Sequence, residues 1–296
     1  MPADLSPAIG IGLRSKHIRD FEALRPDLPF VEIHAENHLC GGAMRQVLHR
    51  VRRDYDISVH CVGMSLGSAT LDKDHIIRVK SLVDEIEPFL VSDHLSVSTL
   101  ETVYTNDLLP IPYTEESLDR FCAHVDQAQE VLGRRILVEN PSRYISYAHS
   151  TLSDEEFLDV IAQRTGCGLL CDVNNIFVTA RNEGRDPGRA LAAFPMAHVR
   201  EFHLAGHDTV AGATGTVRID THDRPVADAG MQFGVATAGW PAHNRVEQSV
   251  IDDNRIVPNQ AGINGLAFAS LIAKEAADRL EGLVQTGGQP DAPEAR

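Results

Sequence analysis

Short apolar runs alternate with amphipathic segments over the first two thirds of the chain. The apolar runs are AIGIGL (8–13), FVEIHAENH (30–38), ISVHCVGMSLG (57–67), FLVSDHLS (89–96), RILVENP (135–141), GLLCDVNN (168–175) and VREFHLAGH (199–207). Runs of this kind are typical of parallel strands that are buried on both faces. The pattern therefore predicts seven strands before residue 210.

Helical patterns lie between these runs, at residues 42–55, 73–87, 114–132 and 155–164. Ser153 and Glu156 have the spacing of a capping box, and Thr114 is a suitable N-cap. Alternating strands and helices predict an α/β fold, and seven units of this kind favour a TIM-type (β/α)8 barrel. An open doubly wound sheet is the alternative.

The pattern weakens after Ala229. Residues 230–265 mix Gly, Pro, Asn and Gln, and no eighth strand is predicted there with the clarity of the other seven. A clean helical pattern returns at 268–280. We expect a single barrel domain over residues 1–284, atypical at 229–265, followed by a disordered tail at 285–296.

Composition limits the kinds of partner. The 296 residues include 42 acidic and 27 basic side chains, a net charge of −15 that disfavours both nucleic acid and anionic membranes. The first residues lack a signal-peptide pattern and no long apolar run follows, so we expect a cytoplasmic protein. Five cysteines fit reduced thiols, and Cys167 and Cys171 are expected to be small core side chains.

Polar side chains recur where each predicted strand ends. From His34 the steps to His60, His94, Glu139, Asp172 and His203 are 26, 34, 45, 33 and 31 residues, and Asp220 and His222 follow in RIDTHD. Because the carboxyl ends of barrel strands share one face, we expect these side chains to converge. This convergence favours the barrel over the open sheet.

Imidazoles mixed with carboxylates suit a first-row transition metal, and iron, manganese and zinc all remain admissible. The candidate ligands are His60, His94, Glu139, Asp172, His203, Asp220 and His222. Seven candidates exceed the needs of one ion and indicate two or three, with Glu139 as the natural bridge. His34, His38 and His207, taken singly, fit a structural role equally well.

The chain resembles the multinuclear non-heme iron-dependent oxidases, a former domain-of-unknown-function family that includes the methanobactin and thiaglutamate biosynthesis enzymes. The resemblance covers about residues 7–228. Its motifs are GIGLR (10–14), EIHAEN (32–37), VHCVGMSLGS (59–68), SDHLS (92–96), TNDLLPIPYT (105–114), LVENPS (137–142), DVNN (172–175), EFHLAGH (201–207) and DTHDRPV (220–226). So many motifs in one order are highly specific.

The resemblance implies a TIM-type barrel that holds two or three iron ions (Fe2+/Fe3+) and uses dioxygen to oxidise cysteine residues of a ribosomally made precursor peptide. A small partner protein commonly presents that peptide. The resemblance carries over the seven ligands already named and adds Asn175 as a further oxygen ligand. Among them, Glu139, Asp172 and His203 are expected to be catalytic.

Two other functions stay open at this point. A divalent-metal sugar isomerase or phosphodiesterase on a similar barrel would also gather His, Glu and Asp at strand ends, and it would not consume oxygen. A catalytically silent family member would keep the barrel and act as a binding protein. Peptide-dependent oxygen uptake separates these alternatives from the oxidase.

The family resemblance is lost where the eighth strand should lie. Family members have Ile-Glu-Trp followed by Asp or Asn there, whereas this chain has NRVEQSV at 244–250. Permitted codons for this segment, read one nucleotide later, encode Ile-Glu-Trp-Asn-Asn-Arg. We hypothesise that compensating frameshifts lie within 229–265, in which case the chain would lack one strand and one carboxylate ligand and would bind iron poorly.

Overall fold

The computed structural model describes residues 8–15, 18–100, 103–212, 215–222 and 248–251, with strands β1–β12 and helices α1–α7 numbered along the chain. Eight parallel strands close into a barrel in the order β1-β12-β9-β8-β7-β4-β3-β2. They are β1 (Ala8–Gly12), β2 (Phe30–His34), β3 (Asp56–His60), β4 (Leu90–His94), β7 (Leu137–Glu139), β8 (Gly168–Asp172), β9 (Val199–Leu204) and β12 (Gln248–Ile251). The predicted TIM-type barrel is confirmed, and the open sheet is excluded.

Two hairpins, seven α-helices and two short 3-10 helices complete the described part of the chain. The hairpins are β5–β6 (Val97–Leu100 and Val103–Leu109) and β10–β11 (His207–Gly212 and Gly215–Asp220), and both follow the carboxyl end of a barrel strand. The helices are α1 (Ile18–Leu24), α2 (Gly42–Arg52), α3 (Lys73–Ile86), α4 (Glu115–Leu132), α5 (Asp154–Thr165), α6 (Val173–Asn182) and α7 (Pro187–Ala193). None of them combines the length and the apolar character that crossing a bilayer requires.

The predicted helix starts are confirmed at atomic detail. At α5 the hydroxyl of Ser153 accepts a hydrogen bond from the Glu156 N–H, while the Glu156 carboxylate accepts one from the Ser153 N–H. At α4 the hydroxyl of Thr114 accepts from the N–H of Ser117. These caps satisfy backbone donors that have no partner within the first helical turn.

The core lies between the barrel and the helices that surround it. Its members are apolar side chains from alternate strand positions, such as Val31, Ile57 and Val91, packed against helix residues such as Phe121 and Phe157. Cys167 and Cys171 are buried in it as expected, and Cys40 is exposed. Because the outward strand residues fill this core, the inward residues are left to line the barrel interior.

The eighth strand, whose presence was in doubt from the sequence, is present in the backbone. Gln248–Ile251 pairs in parallel with β1 on one side and with β9 on the other, which closes the barrel. Closure removes two open sheet edges, and the β-branched Val250 and Ile251 favour extended backbone, so a segment unlike the family motif still forms the strand. The rest of the atypical window, the helical pattern at 268–280 and the tail lie outside the described residues, and the frameshift hypothesis stays a prediction.

Candidate metal centre

The barrel strands end on the predicted ligands. His60, His94, Glu139 and Asp172 are the last residues of β3, β4, β7 and β8, and His203 is the last but one of β9. The register aligns neighbouring strands, so that His94 pairs with Glu139 and Asp172 with His203. Hydrogen bonding of the barrel therefore brings these five side chains to one face.

The first triad consists of His60, His94 and Glu139, all buried. Glu139 Oε2 lies 3.3 Å from His60 Nε2 and 3.2 Å from His94 Nε2. Neither contact has hydrogen-bond geometry, and among the described residues Glu139 Oε2 has no hydrogen-bond partner. Three ligand atoms thus face a common point without satisfying one another.

The second triad consists of Asp172, His203 and His222, and its ligand atoms lie within 4.8 Å of one another. Asp172 is also the N-cap of α6, where its Oδ1 accepts a 2.7 Å hydrogen bond from the Asn175 N–H. Its Oδ2 lies 2.9 Å from His222 Nε2 and 3.9 Å from His203 Nδ1. The cap therefore fixes the carboxylate with one oxygen directed at the two imidazoles.

Glu139 faces both triads. Its Oε2 belongs to the first, and its Oε1 lies 3.6 Å from His203 Nδ1 in the second. Asn175 adjoins the same carboxylate: its Nδ2 donates to the Asn140 carbonyl, and its buried Oδ1 has no hydrogen-bond partner among the described residues. This geometry fits the bridging role predicted for Glu139 and the oxygen-ligand role predicted for Asn175.

Asp220 and His222 reach the site on the β10–β11 hairpin. Asp220 Oδ1 accepts from Asn174 Nδ2 and contacts His222 Nδ1, so Asp220 orients the His222 ring and lies outside the two groups of converging ligand atoms. The hairpin is held to α6 because the Asn182 side chain bonds both the N–H and the carbonyl of Arg218, each at 2.9 Å. The Tyr144 hydroxyl also accepts a 2.8 Å hydrogen bond from the Asp220 N–H.

Below the ligands lies a buried polar layer whose residues are not in the predicted ligand set. Glu32 Oε2 is 2.9 Å from His203 Nε2, and Ser92 Oγ is 2.7 Å from His60 Nδ1. Ser58 donates to Glu201 Oε2, and burial together with the Glu32 carboxylate raises the pKa of Glu201 to about 8. A charged residue in the middle of a strand buried on both faces was the available signal.

The local environment sets the charge of the site. Burial, with His94 and His203 nearby, holds the pKa of His60 well below its usual value. Burial would raise the pKa of Glu139, but His94 and His203 outweigh it and lower the pKa. Burial also opposes charge on His203, yet the carboxylates of Glu32 and Glu139 outweigh it and raise the pKa of His203 well above its usual value.

His34, His38 and His207, for which the sequence allows either a structural or a ligand role, lie outside the two triads. His34 Nε2 lies 2.8 Å from the Arg14 guanidinium, and burial followed by Arg14 holds the pKa of His34 well below its usual value. A neutral His34 that accepts from Arg14 fits a structural role. His207 Nδ1 contacts Asn174 Oδ1 at 3.1 Å, and His38 is buried, with its pKa lowered by burial.

The residues present fit metal ions. Two buried groups each combine two imidazoles with a carboxylate, the donor set that first-row transition metals prefer. The buried oxygens Glu139 Oε2 and Asn175 Oδ1, which have no hydrogen-bond partner among the described residues, also support metal binding. A buried polar atom without a partner destabilises the fold by about 1–3 kcal/mol unless a ligand binds it. The donor set alone does not distinguish iron from zinc or manganese.

Comparison with known sequences identifies relatives over most of the chain. Residues 8–256 match the family described as RiPP precursor modification enzyme MbnB/TglH/ChrH, so the resemblance extends past residue 228, where it was expected to end. A UPF0276 protein of Vibrio vulnificus is 47% identical over 226 residues, covering 76% of this chain and 78% of the relative. A UPF0276 protein of Caulobacter vibrioides is 44% identical over 233 residues, covering 78% and 82%.

Known structures show the same fold at low sequence identity. The TTHB071 protein from Thermus thermophilus, in a crystal soaked with ZnCl2, has a TM-score of 0.50 at 19% identity and covers 90% of this chain and 98% of its own. An L-ribulose 3-epimerase has a TM-score of 0.57 at 14% identity and covers 96% and 100%. These two structures support a TIM-type barrel and carry no information about substrate.

Proposed function

The chain belongs to the RiPP precursor modification enzymes of the MbnB/TglH/ChrH family, and on this premise we propose that it is a multinuclear non-heme iron oxidase that uses dioxygen to modify cysteine residues of a ribosomally synthesised precursor peptide. The observation that carries the proposal is a pair of adjacent triads connected by one carboxylate: Glu139 belongs to the first triad, and its second oxygen faces the second triad. A protein that binds a single metal ion needs only one such group of ligands, so the second group indicates a second ion. Two adjacent ions suit a reaction in which oxidant and substrate must meet.

The protein side chains hold and orient the reacting groups. His60, His94 and Glu139 would bind one iron, and Asp172, His203 and His222 a second, with Asn175 as an additional oxygen ligand. Bound iron would supply the redox chemistry with dioxygen that oxidation of a cysteine requires. Burial of five of the six triad residues keeps bulk water away from the ligands, which strengthens their electrostatic interactions.

The surface around the mouth of the barrel supports a peptide substrate. Of the nine large apolar side chains exposed in the described ranges, seven lie on segments that follow the carboxyl ends of β4, β7 and β9: Leu100, Val103, Tyr104, Tyr144, Ile145, Val210 and Val217. Exposed apolar side chains concentrated on one face are typical of protein or peptide binding, whereas a sugar site needs no such rim. We propose that the rim contacts the peptide and a small partner protein that presents it.

The proposal is tested with full-length protein purified without oxygen. We expect at least two iron ions per chain, and oxygen uptake that depends on a cysteine-containing peptide encoded beside the gene. Mass spectrometry should then show a mass change confined to the cysteine residues of that peptide. Stoichiometric zinc or manganese in place of iron, or an unchanged peptide, would contradict the proposal.

A matched pair of variants controls this experiment. His203→Ala removes a triad ligand near the carboxyl end of β9, whereas His198→Ala removes a partly exposed histidine just before the amino end of the same strand. Only His203→Ala should abolish oxygen uptake. Sugar epimerisation without oxygen uptake would instead support the isomerase alternative, and iron binding without any turnover would support a silent binding protein.

A further inference from the structure

Strand β2 and each ligand strand carry a second inward residue, two positions before the histidine or carboxylate near the carboxyl end of the strand, because side chains alternate along a strand. In a TIM barrel these interior positions are mostly bulky and apolar. Here four of them are polar and buried, and they lie on β2, β3, β4 and β9: Glu32, Ser58, Ser92 and Glu201. This polar layer lies directly beneath the two triads.

Two members of the polar layer contact triad histidines. Ser92 Oγ holds His60 Nδ1 at 2.7 Å, which leaves His60 Nε2 to face Glu139. Glu32 Oε2 holds His203 Nε2 at 2.9 Å, which leaves His203 Nδ1 to face Glu139 and Asp172. The layer thus determines which ring nitrogen of each histidine is available to a metal.

The two contacts differ in charge. Serine is neutral, whereas Glu32 places a carboxylate behind His203, and Asp220 places another behind His222. In the first triad the nearest equivalent is Asp93, which stays 3.8 Å from His94 Nδ1 and accepts from the N–H groups of Met64 and His94. The second triad is therefore surrounded by more negative charge than the first.

We propose that the second triad is built for the more highly charged of two bound metal ions, and that Glu32 is the positioning residue responsible. A carboxylate that accepts the hydrogen bond of a ligand imidazole makes that imidazole a stronger donor, and its charge stabilises a trivalent ion more than a divalent one. The inference rests on the proposed function only in requiring that both triads hold metal. For iron, it assigns the ferric ion to Asp172, His203 and His222.

Two redox-inert ions separate charge preference from catalysis. Metal-free full-length protein is loaded with equimolar Zn2+ and Ga3+, the latter supplied as its citrate complex, and bound metal is counted after gel filtration. Wild-type protein should retain both ions. His94→Ala in the first triad should lose Zn2+ and keep Ga3+, and His222→Ala in the second should do the reverse.

Glu32→Gln keeps the size of the side chain and removes its charge. Its affinity for Ga3+ should fall about 10- to 100-fold while Zn2+ affinity stays at the wild-type value. Ser92→Ala is the matched control in the same layer, and it should weaken Zn2+ and spare Ga3+. A merely structural role for Glu32 would lower both affinities alike, and that result would overturn the proposal.

The metal loading of wild-type protein, His94→Ala and His222→Ala tests the inference independently of Glu32→Gln. Loss of Ga3+ from His94→Ala, with retention in His222→Ala, would overturn the assignment even if Glu32→Gln does not fold, because neither variant changes Glu32. If wild-type protein binds neither Zn2+ nor Ga3+, that result would contradict the proposed function, on which the inference rests. Binding of both ions with the opposite distribution would leave the proposed function standing and refute only this inference.

Discussion

The two triads differ in how the chain holds them. All three members of the first are the terminal residues of barrel strands, so backbone hydrogen bonding fixes their positions. In the second, His222 lies beyond the β10–β11 hairpin, its side chain is 22% exposed, and its φ of 47° is in the left-handed region. The first site is therefore preorganised by the fold, and the second depends on contacts that hold a hairpin.

Glu139 joins the two sites, and its removal should have the largest effect. Glu139→Gln keeps the shape but deletes the charge that faces both triads, so metal affinity at both should fall about 100-fold or more, and oxygen uptake should be lost. Elemental analysis and oxygen electrode measurements check this. Glu116→Gln, an exposed carboxylate on α4, is the control, and equal loss in both variants would show that Glu139 is no bridge.

Loss of a strand-borne ligand should affect folding more than loss of the hairpin-borne one. His60→Ala empties a fully buried position and leaves Ser92 without its partner, which should lower the free energy of unfolding by about 1–3 kcal/mol. His222→Ala also removes a partner of Asp172, but at a partly exposed position where water can replace the ring, so the loss should be smaller, about 1 kcal/mol or less. Urea unfolding of the metal-free variants measures both values, and a reversed order would contradict the preorganisation of the first triad.

Acidification should release metal from the second triad first. Burial opposes charge on His222, but Asp172 outweighs it and raises the pKa of His222 well above its usual value, as Glu32 and Glu139 do for His203. The raised pKa of each ring favours its doubly protonated form, and a bound metal ion must displace that additional proton. In the first triad the pKa of His60 is lowered by burial, and only that of His94 is raised, where Glu139 and Asp93 outweigh burial.

The sign of the pH effect follows from this difference. Each proton that a metal ion displaces lowers the metal affinity about tenfold for each unit by which the pH falls, so the affinity of the second triad should depend more steeply on pH than that of the first. With Zn2+ as the only metal ion supplied, its affinity from pH 6 to 8 can be measured for the second triad in His94→Ala and for the first triad in His222→Ala. Parallel slopes in the two variants would contradict the difference in protonation.

The hairpin anchor should have the smallest effect. Asn182→Ala removes the two hydrogen bonds to the Arg218 backbone, and at about 0.5 kcal/mol each this should weaken metal binding at the second triad about fivefold. The first triad should be unchanged. Hydrogen exchange across residues 207–222 should rise in Asn182→Ala and stay constant in Gln127→Ala, and unchanged exchange in both would show that the anchor is dispensable.

The same contrast explains which features the sequence predicts. Strand ends such as His60 and Glu139 follow from apolar periodicity, because one rule places the end of every parallel strand on the same face. The β5–β6 and β10–β11 hairpins and helices α1, α6 and α7 were not predicted, because these segments are too short to show a clear hydrophobic period. Glu32 was missed because only the closed barrel brings β2 and β9 within hydrogen-bond reach.

At the eighth strand the error is of the opposite kind, because the sequence pattern casts doubt on a strand that is present. The segment at Gln248–Ile251 lacks the family's Ile-Glu-Trp motif, yet its backbone closes the barrel because both neighbouring strand edges need a partner. A motif that serves chemistry can therefore be absent while the strand that carries it persists. Sequencing the gene tests the frameshift hypothesis: codons that cannot encode Ile-Glu-Trp in another frame would refute it.

Mössbauer spectroscopy of protein loaded with iron-57 without oxygen can show whether Glu139 joins two adjacent metal sites. We predict two or more irons per chain in distinct environments, one for each triad, and magnetic coupling between them after partial oxidation. In Glu139→Gln the coupling should disappear. A single iron environment, or two fully occupied iron sites without magnetic coupling in the wild-type protein, would show that Glu139 does not bridge two metal sites.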